Sequence, residues 1–165
     1  MIVDKVDGQP IEEDVFIFPA SFAQQRLWFI EQLLPGETLY LIPLIFRLSG
    51  SLQKPDLERS LQAIGQRHEI LRTRFQLVDG QLMQVVAPTG ALALPLTDLR
   101  QLPTQNREAA ALQQIEQEIR HPFQLDADPL VRGHLWQLQD REHWLLLTIH
   151  HIIFDEWSSG VLIRE

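Results

Sequence analysis

The segment Trp144-Leu145-Leu146-Leu147-Thr148-Ile149-His150-His151-Ile152-Ile153-Phe154-Asp155 runs an apolar stretch straight into two imidazoles and a carboxylate. Its apolar character is continuous rather than alternating, which predicts a strand buried on both faces. In strand geometry His150 and His151 point to opposite faces, so only one enters a given cavity while the other braces the backbone. Asp155 lies four residues past His151, where the chain turns into Glu156–Glu165. There it can cap a helix or pair with a cation. Polar groups at the rim of a buried strand are costly unless they serve chemistry or a satisfied network. Two core histidines and a helix cap would be the plainer reading. The convergence of three titratable groups on one turn favours a functional site.

Outward from this segment the chain alternates helical and strand patterns. Ser21-Phe22-Ala23-Gln24 predicts a capping box, with Leu27, Ile30 and Leu34 on one helical face until Pro35-Gly36. Ile42, Leu44, Phe46 and Leu48 alternate as a strand, and Pro43 marks its start or a sheet edge. Leu57, Leu61 and Ile64 trace a second helix after Pro55. Leu71, Thr73, Phe75 and Leu77 alternate again, with Arg72 and Arg74 on the opposite face, and Asp79-Gly80 is a two-residue hairpin turn into Gln81–Val86. Pro88–Pro103 has little periodicity and is expected to be a loop. Leu112, Ile115 and Ile119 trace a third helix ended by Pro122. Leu130–Leu138 and Trp144–His150 form a strand pair around Asp140-Arg141-Glu142, and Trp157–Glu165 opens a last helix. The sum is an α+β fold, with helices packed on a mixed or mostly antiparallel sheet.

With 165 residues the chain is expected to hold one domain with a real core. A formal charge of −8 argues against a nucleic-acid surface, which needs clustered Lys and Arg. The absence of cysteine excludes disulfides, thiolate zinc sites and a cysteine nucleophile. Met1–Val15 is acidic and does not read as a secretory signal, and no apolar run is long enough to span a bilayer. A cytoplasmic protein with no membrane association is expected. A metal site on His150, His151 and Asp155 is disfavoured, because the imidazoles diverge and no third ligand is apparent.

The chain resembles the N-terminal half of a condensation domain of nonribosomal peptide synthetases. Three stretches carry the likeness: Ser21-Phe22-Ala23-Gln24-Gln25-Arg26-Leu27-Trp28, Arg67-His68-Glu69-Ile70-Leu71-Arg72-Thr73-Arg74-Phe75, and His150-His151-Ile152-Ile153-Phe154-Asp155. The third matches the family's His-His-x-x-x-Asp-Gly motif. A softer match is Pro122-Phe123-Gln124-Leu125 followed by Pro129-Leu130-Val131-Arg132. The resemblance runs from residue 16 to residue 165. It implies one chloramphenicol-acetyltransferase-like subdomain after an N-terminal extension over residues 1–15, with the C-terminal subdomain absent.

Such domains make a peptide bond between aminoacyl or peptidyl thioesters held on the 4′-phosphopantetheine arms of carrier proteins. The resemblance therefore implies donor and acceptor peptidyl carrier proteins, the C-terminal condensation subdomain and a neighbouring adenylation domain as partners, with no cofactor or metal bound directly. An imidazole, whose ordinary pKa is roughly 6.5, suits taking the proton of an attacking amine or orienting that amine. His151, the second motif histidine, is the catalytic candidate. His150 is expected to be structural, and so is Asp155, paired with an arginine of the second stretch. Arg67 is the matching position and Arg72 a second candidate; breaking such a pair would strand a partly buried charge. Ser21, Gln24 and Arg26 have a complete explanation as cap and helix face.

One departure stands out. Glu156 replaces the motif glycine. If the position needs positive φ, a non-glycine residue costs about 1–2 kcal/mol. A carboxylate beside His151 would also favour its protonated form or obstruct the donor thioester. These effects predict impaired activity, relieved by Glu156→Gly; a place in the first turn of the last helix is the benign alternative. Other readings are an inactive remnant, a carrier-docking subdomain, an epimerisation domain, or a stand-alone acyltransferase of the same superfamily. Ending the last helix early is expected to expose Val161 and Leu162.

Overall fold

The computed structural model describes residues 5–6, 9–10, 15–90, 92–127 and 129–165. The expected extension over residues 1–15 falls mostly outside the described residues. A short antiparallel pair, β1 (Lys5–Val6) and β2 (Gln9–Pro10), precedes β3 (Phe16–Pro19) and helix α1 (Phe22–Leu33). Then come β4 (Leu41–Ser49), α2 (Lys54–Arg67), a 3-10 turn over Glu69–Arg72, and the hairpin of β5 (Thr73–Val78) and β6 (Gln81–Val86). The short strand β7 (Leu96–Asp98), α3 (Thr104–Glu118), β8 (Val131–Gln139), β9 (Glu142–His150) and α4 (Glu156–Arg164) complete the order.

The strands fall into two larger sheets, ordered β3-β6-β5 and β4-β9-β8-β7. All of their pairings are antiparallel except β7 on β8, so the larger sheet is mixed, as expected. β9 occupies an inner position between β4 and β8, and all of its residues but Trp144 are buried, which accounts for its unbroken apolar run. Leu145 and Leu147 turn to one face, where Leu57 and Leu61 of α2 and Leu162 of α4 cover them. Leu146 turns to the other face with Trp136 and Leu138, under Ala111 and Ile115 of α3. A fully buried side chain of this kind contributes roughly 1.5–3 kcal/mol. A third cluster joins the smaller sheet to the end of β9: Phe75, Leu82, Phe123, Leu130, Ile149 and Ile152–Phe154 pack together, with Leu27 and Trp28 of α1 against them.

Local chemistry accounts for the joints. Ser21 Oγ accepts the Gln24 N–H while Gln24 Oε1 accepts the Ser21 N–H, the reciprocal capping box expected at α1. Asp79 (φ 50°) and Gly80 (φ 78°) both take left-handed backbone, which suits the twist of a two-residue hairpin. β4 is an edge strand, so Pro43 leaves no ladder bond unmade on its open side.

Four expectations need correction. The segment 88–103 holds β7, too short to show a period but able to join the sheet beside Leu135–Gln137. Leu112 is half exposed, because the buried face of α3 runs through Ala111 and Ile115. Leu34 and Leu77 are exposed where their elements end. Val161 and Leu162 are partly buried, Leu162 against two core clusters; the apolar residues of α4 left exposed are Trp157 and Ile163. No helix among the described residues is long and apolar enough to cross a membrane.

Candidate active site

The ladder ends at His150, and residues 151–153 form a turn before Asp155 starts α4. Three backbone bonds fix that turn from different elements. The His150 N–H donates to Leu130 O (3.0 Å), the His151 N–H to Tyr40 O (2.8 Å), and the Ile153 N–H to His150 O (3.1 Å). Ile152, Ile153 and Phe154 are buried beneath it, anchoring the turn in the core. The turn therefore lifts His151 into solvent while its neighbours stay inside.

The two imidazoles do diverge, and their surroundings set opposite roles. His151 Nδ1 lies 2.7 Å from Phe154 O. A carbonyl only accepts, so Nδ1 carries the hydrogen and the neutral ring keeps its Nε2 lone pair free. His150 is fully buried, its ring edge-on to Phe123 with centroids 6.2 Å apart. Its Nδ1 accepts the Ile152 N–H at 3.1 Å, which puts the ring hydrogen of the neutral form on Nε2. Burial, helped by the nearby charge of His151, pushes the His150 pKa down to about 4. His150 thus stays neutral and holds the backbone, whereas His151 presents a basic nitrogen outward.

Asp155 is the N-cap of α4. Its Oδ1 accepts the Ser158 N–H (2.8 Å) and the Ser158 hydroxyl (2.6 Å). Those bonds hold its pKa below the ordinary carboxylate value, with a smaller contribution from His151. The expected ion pair with an arginine of the second stretch is not formed. Arg67, at the end of α2, pairs with Glu165 at 3.1 Å, and His68 Nε2 reaches the same carboxylate oxygen at 3.0 Å. Arg72 is nearly buried; it donates to Ala87 O and lies 3.4 Å from Glu69 Oε1. Asp155 prefers a partner three residues away because that bond orders almost no additional chain.

Glu156 occupies the first turn of α4, and among the described non-glycine residues only Asp79 has positive φ. The anticipated backbone penalty for replacing glycine therefore does not arise. An acidic side chain there is favoured by the helix dipole instead. Among the described residues no cluster of three His, Cys, Asp or Glu side chains is arranged to hold a metal ion.

The structure brings further residues to the turn. Gln24 Nε2 donates to Ile152 O (3.4 Å) and to Gln84 Oε1 (3.1 Å), so the capping glutamine also grips the motif turn. Glu31, further along the same helix, brings Oε2 to 3.8 Å from His150 Nε2. Tyr40 contributes through its carbonyl, which no side-chain pattern could reveal. A Gln and a Glu on the buried side of an otherwise apolar helix stripe were the available signal.

The chain is similar to known proteins along most of its length. The family model described as the condensation domain matches residues 16–165. One of the linear gramicidin synthase proteins of Brevibacillus parabrevis is 46% identical over 147 residues, covering 89% of this chain and 3% of that protein. Chondramide synthase of Chondromyces crocatus is 41% identical over 149 residues, 90% of this chain and 4% of that protein. The crystal structure of the starter condensation domain of rhizomide synthetase superposes with a TM-score of 0.81 at 25% identity, over 90% of this chain and 37% of that one. A four-domain nonribosomal peptide synthetase bound to AMP and glycine shares the fold, with a TM-score of 0.80 at 24% identity over 96% of this chain and 12% of that one. The chain thus spans only a small part of the relatives it matches.

Proposed function

Because this chain belongs to the condensation-domain family, we propose that it supplies the histidine-bearing half of a site that joins two carrier-bound thioesters through a peptide bond. The acceptor's amino nitrogen attacks the donor thioester carbon; the carbon–sulfur bond then breaks and the donor arm leaves as its thiol. The attacking nitrogen must shed a proton as it forms the amide. His151 Nε2 accepts that proton or orients the amine by a hydrogen bond. Phosphopantetheine arms of a donor and an acceptor carrier protein deliver the substrates, and a second subdomain closes the site.

The observation that supports this reading best is the His151 ring itself. Its Nδ1–H is committed to Phe154 O, so the outward Nε2 is the acceptor. The same bond fixes the ring plane, and a preoriented base needs less reorganisation when the amine arrives. His150 cannot take this role, since it is buried and resists protonation.

The test is amide formation from donor and acceptor aminoacyl thioesters on carrier proteins, using the synthetase module that carries this chain. His151→Ala is expected to lower kcat by about 10²–10⁴, the usual worth of a general acid–base group. A His151→Ala module that keeps more than about a tenth of the wild-type rate would overturn the assignment. A wild-type module that binds both carriers yet forms no amide would favour a docking role for this surface instead.

A further inference from the structure

The fully buried His150 presents an Nε2–H that has no hydrogen-bond partner. Its tautomer is not free to move that hydrogen elsewhere, because Nδ1 already accepts the Ile152 N–H. A buried donor left unmade is costly, so the group facing it matters. That group is Glu31. Its Oε2 stands 3.8 Å from His150 Nε2, just beyond hydrogen-bond range, and its side chain is only 11% exposed. Burial raises the Glu31 pKa, so a carboxylate at this place is itself expensive for the fold. A helix chosen only for packing would carry an apolar residue here, one turn on from Leu27 and Trp28, which pack against the core. Glu31 instead opens on its other side into a cleft shared with Trp28, Gln76 and Phe123, which lets it keep some contact with solvent.

We propose that Glu31 is a positioning residue for the amide-forming step: it receives the His150 Nε2–H and so holds the turn from which His151 works. The proposal rests on the reading of His151 given above. Glu31 acts on the reacting groups only through a chain of contacts. It orients His150, His150 Nδ1 holds the Ile152 N–H, and the turn 151–154 places the His151 ring against Phe154 O. Gln24, on the same helix, donates to the Ile152 carbonyl at 3.4 Å, so α1 bears on Ile152 at both its N–H, through His150, and its carbonyl. A geometry error passed along such a chain shows in the rate of the bound complex rather than in substrate affinity.

The experiment compares Glu31→Leu with Glu31→Gln in the module that carries this chain, reading kcat, KM and melting temperature, with nitrogen-15 NMR of the imidazoles in the full chain. Glu31→Leu is expected to lower kcat about tenfold or more with KM within about twofold, and to lower the melting temperature, because the buried His150 Nε2–H loses the group that faces it. Glu31→Gln, whose amide oxygen can still accept, should rescue kcat to at least about a third of wild type. The His150 Nε2–H signal, slow to exchange in wild type and Glu31→Gln, should broaden or vanish in Glu31→Leu. A Glu31→Leu protein with wild-type kcat, or with an unchanged His150 signal, overturns the proposal. An NMR response in a chain whose His151→Ala module still forms amide overturns the reading of His151 and leaves the Glu31–His150 contact standing.

Discussion

Acidification from neutral pH should weaken this fold through His150. Its ring is fully buried and its pKa sits near 4, against an ordinary value of 6.5. Between those values an unfolded chain takes up a proton that the folded ring refuses. Stability rises with pH wherever the unfolded state binds more protons, so the His150 contribution is complete above about pH 6.5 and is lost as pH falls towards 4. A shift of about 2.5 units at about 1.4 kcal/mol each is worth on the order of 3 kcal/mol. That is a large share of the roughly 5–15 kcal/mol of a typical domain. The perturbation that isolates it is His150→Asn, whose side-chain oxygen can still accept the Ile152 N–H but does not titrate. Urea unfolding followed by tryptophan fluorescence, from neutral pH down to about pH 4, gives the two curves. His134 and His143, both pushed down by burial, lose stability in the same direction; Glu31, pushed up by burial, runs the other way. His134 and His143 are common to both proteins and largely cancel in the difference; Glu31, which faces residue 150, is removed from the comparison by making both proteins in a Glu31→Gln background. The protein that keeps His150 should lose on the order of 3 kcal/mol more than His150→Asn across this window. Parallel curves would refute the reasoning, and with it the assignment of His150 as a neutral brace.

The helix that follows the motif offers simpler tests. Asp155→Ala should cost about 1 kcal/mol in urea unfolding, and Asp155→Asn much less, because either oxygen-bearing side chain can cap α4. Glu156→Gly should lower stability by up to about 1 kcal/mol and bring no gain in amide formation, since the backbone there is helical and needs no glycine; a clear gain in rate would restore the case for obstruction by the carboxylate. Arg67→Ala, which removes an exposed pair with Glu165, should change stability by less than about 1 kcal/mol and leave the amide-forming rate alone, as measured by the carrier-thioester assay.

The sheet was legible wherever one residue's neighbours along the chain also decide its burial. The run Leu145–Ile149 reads as doubly buried from its composition, and it is. Asp79-Gly80 reads as a hairpin from its own conformational preferences, and both residues have positive φ. β7 was not legible because three residues carry no period, and their place depends on a parallel bond pattern with β8 far along the chain. Leu112 misled for a related reason. Positions 111 and 112 are nearly equivalent on the pattern of α3, and only the location of Trp136 and Leu146 selects Ala111 as the inward one.

The motif turn shows the same division at the scale of single bonds. The opposite directions of His150 and His151 follow from strand geometry, and the cap at Asp155 follows from its place before a helix; both need only nearby residues. The cation expected for Asp155 required the chain to bring Arg67 or Arg72 across from another element, and a serine three residues away satisfies the carboxylate first. Glu31 is the converse case. Nothing near it in the chain explains a buried carboxyl, and its partner becomes visible only when α1 is laid against the end of β9. A titratable residue that local patterning places on an apolar face and cannot account for is therefore the more useful signal. Here it leads from an apparently ordinary helix to the histidine that braces the site.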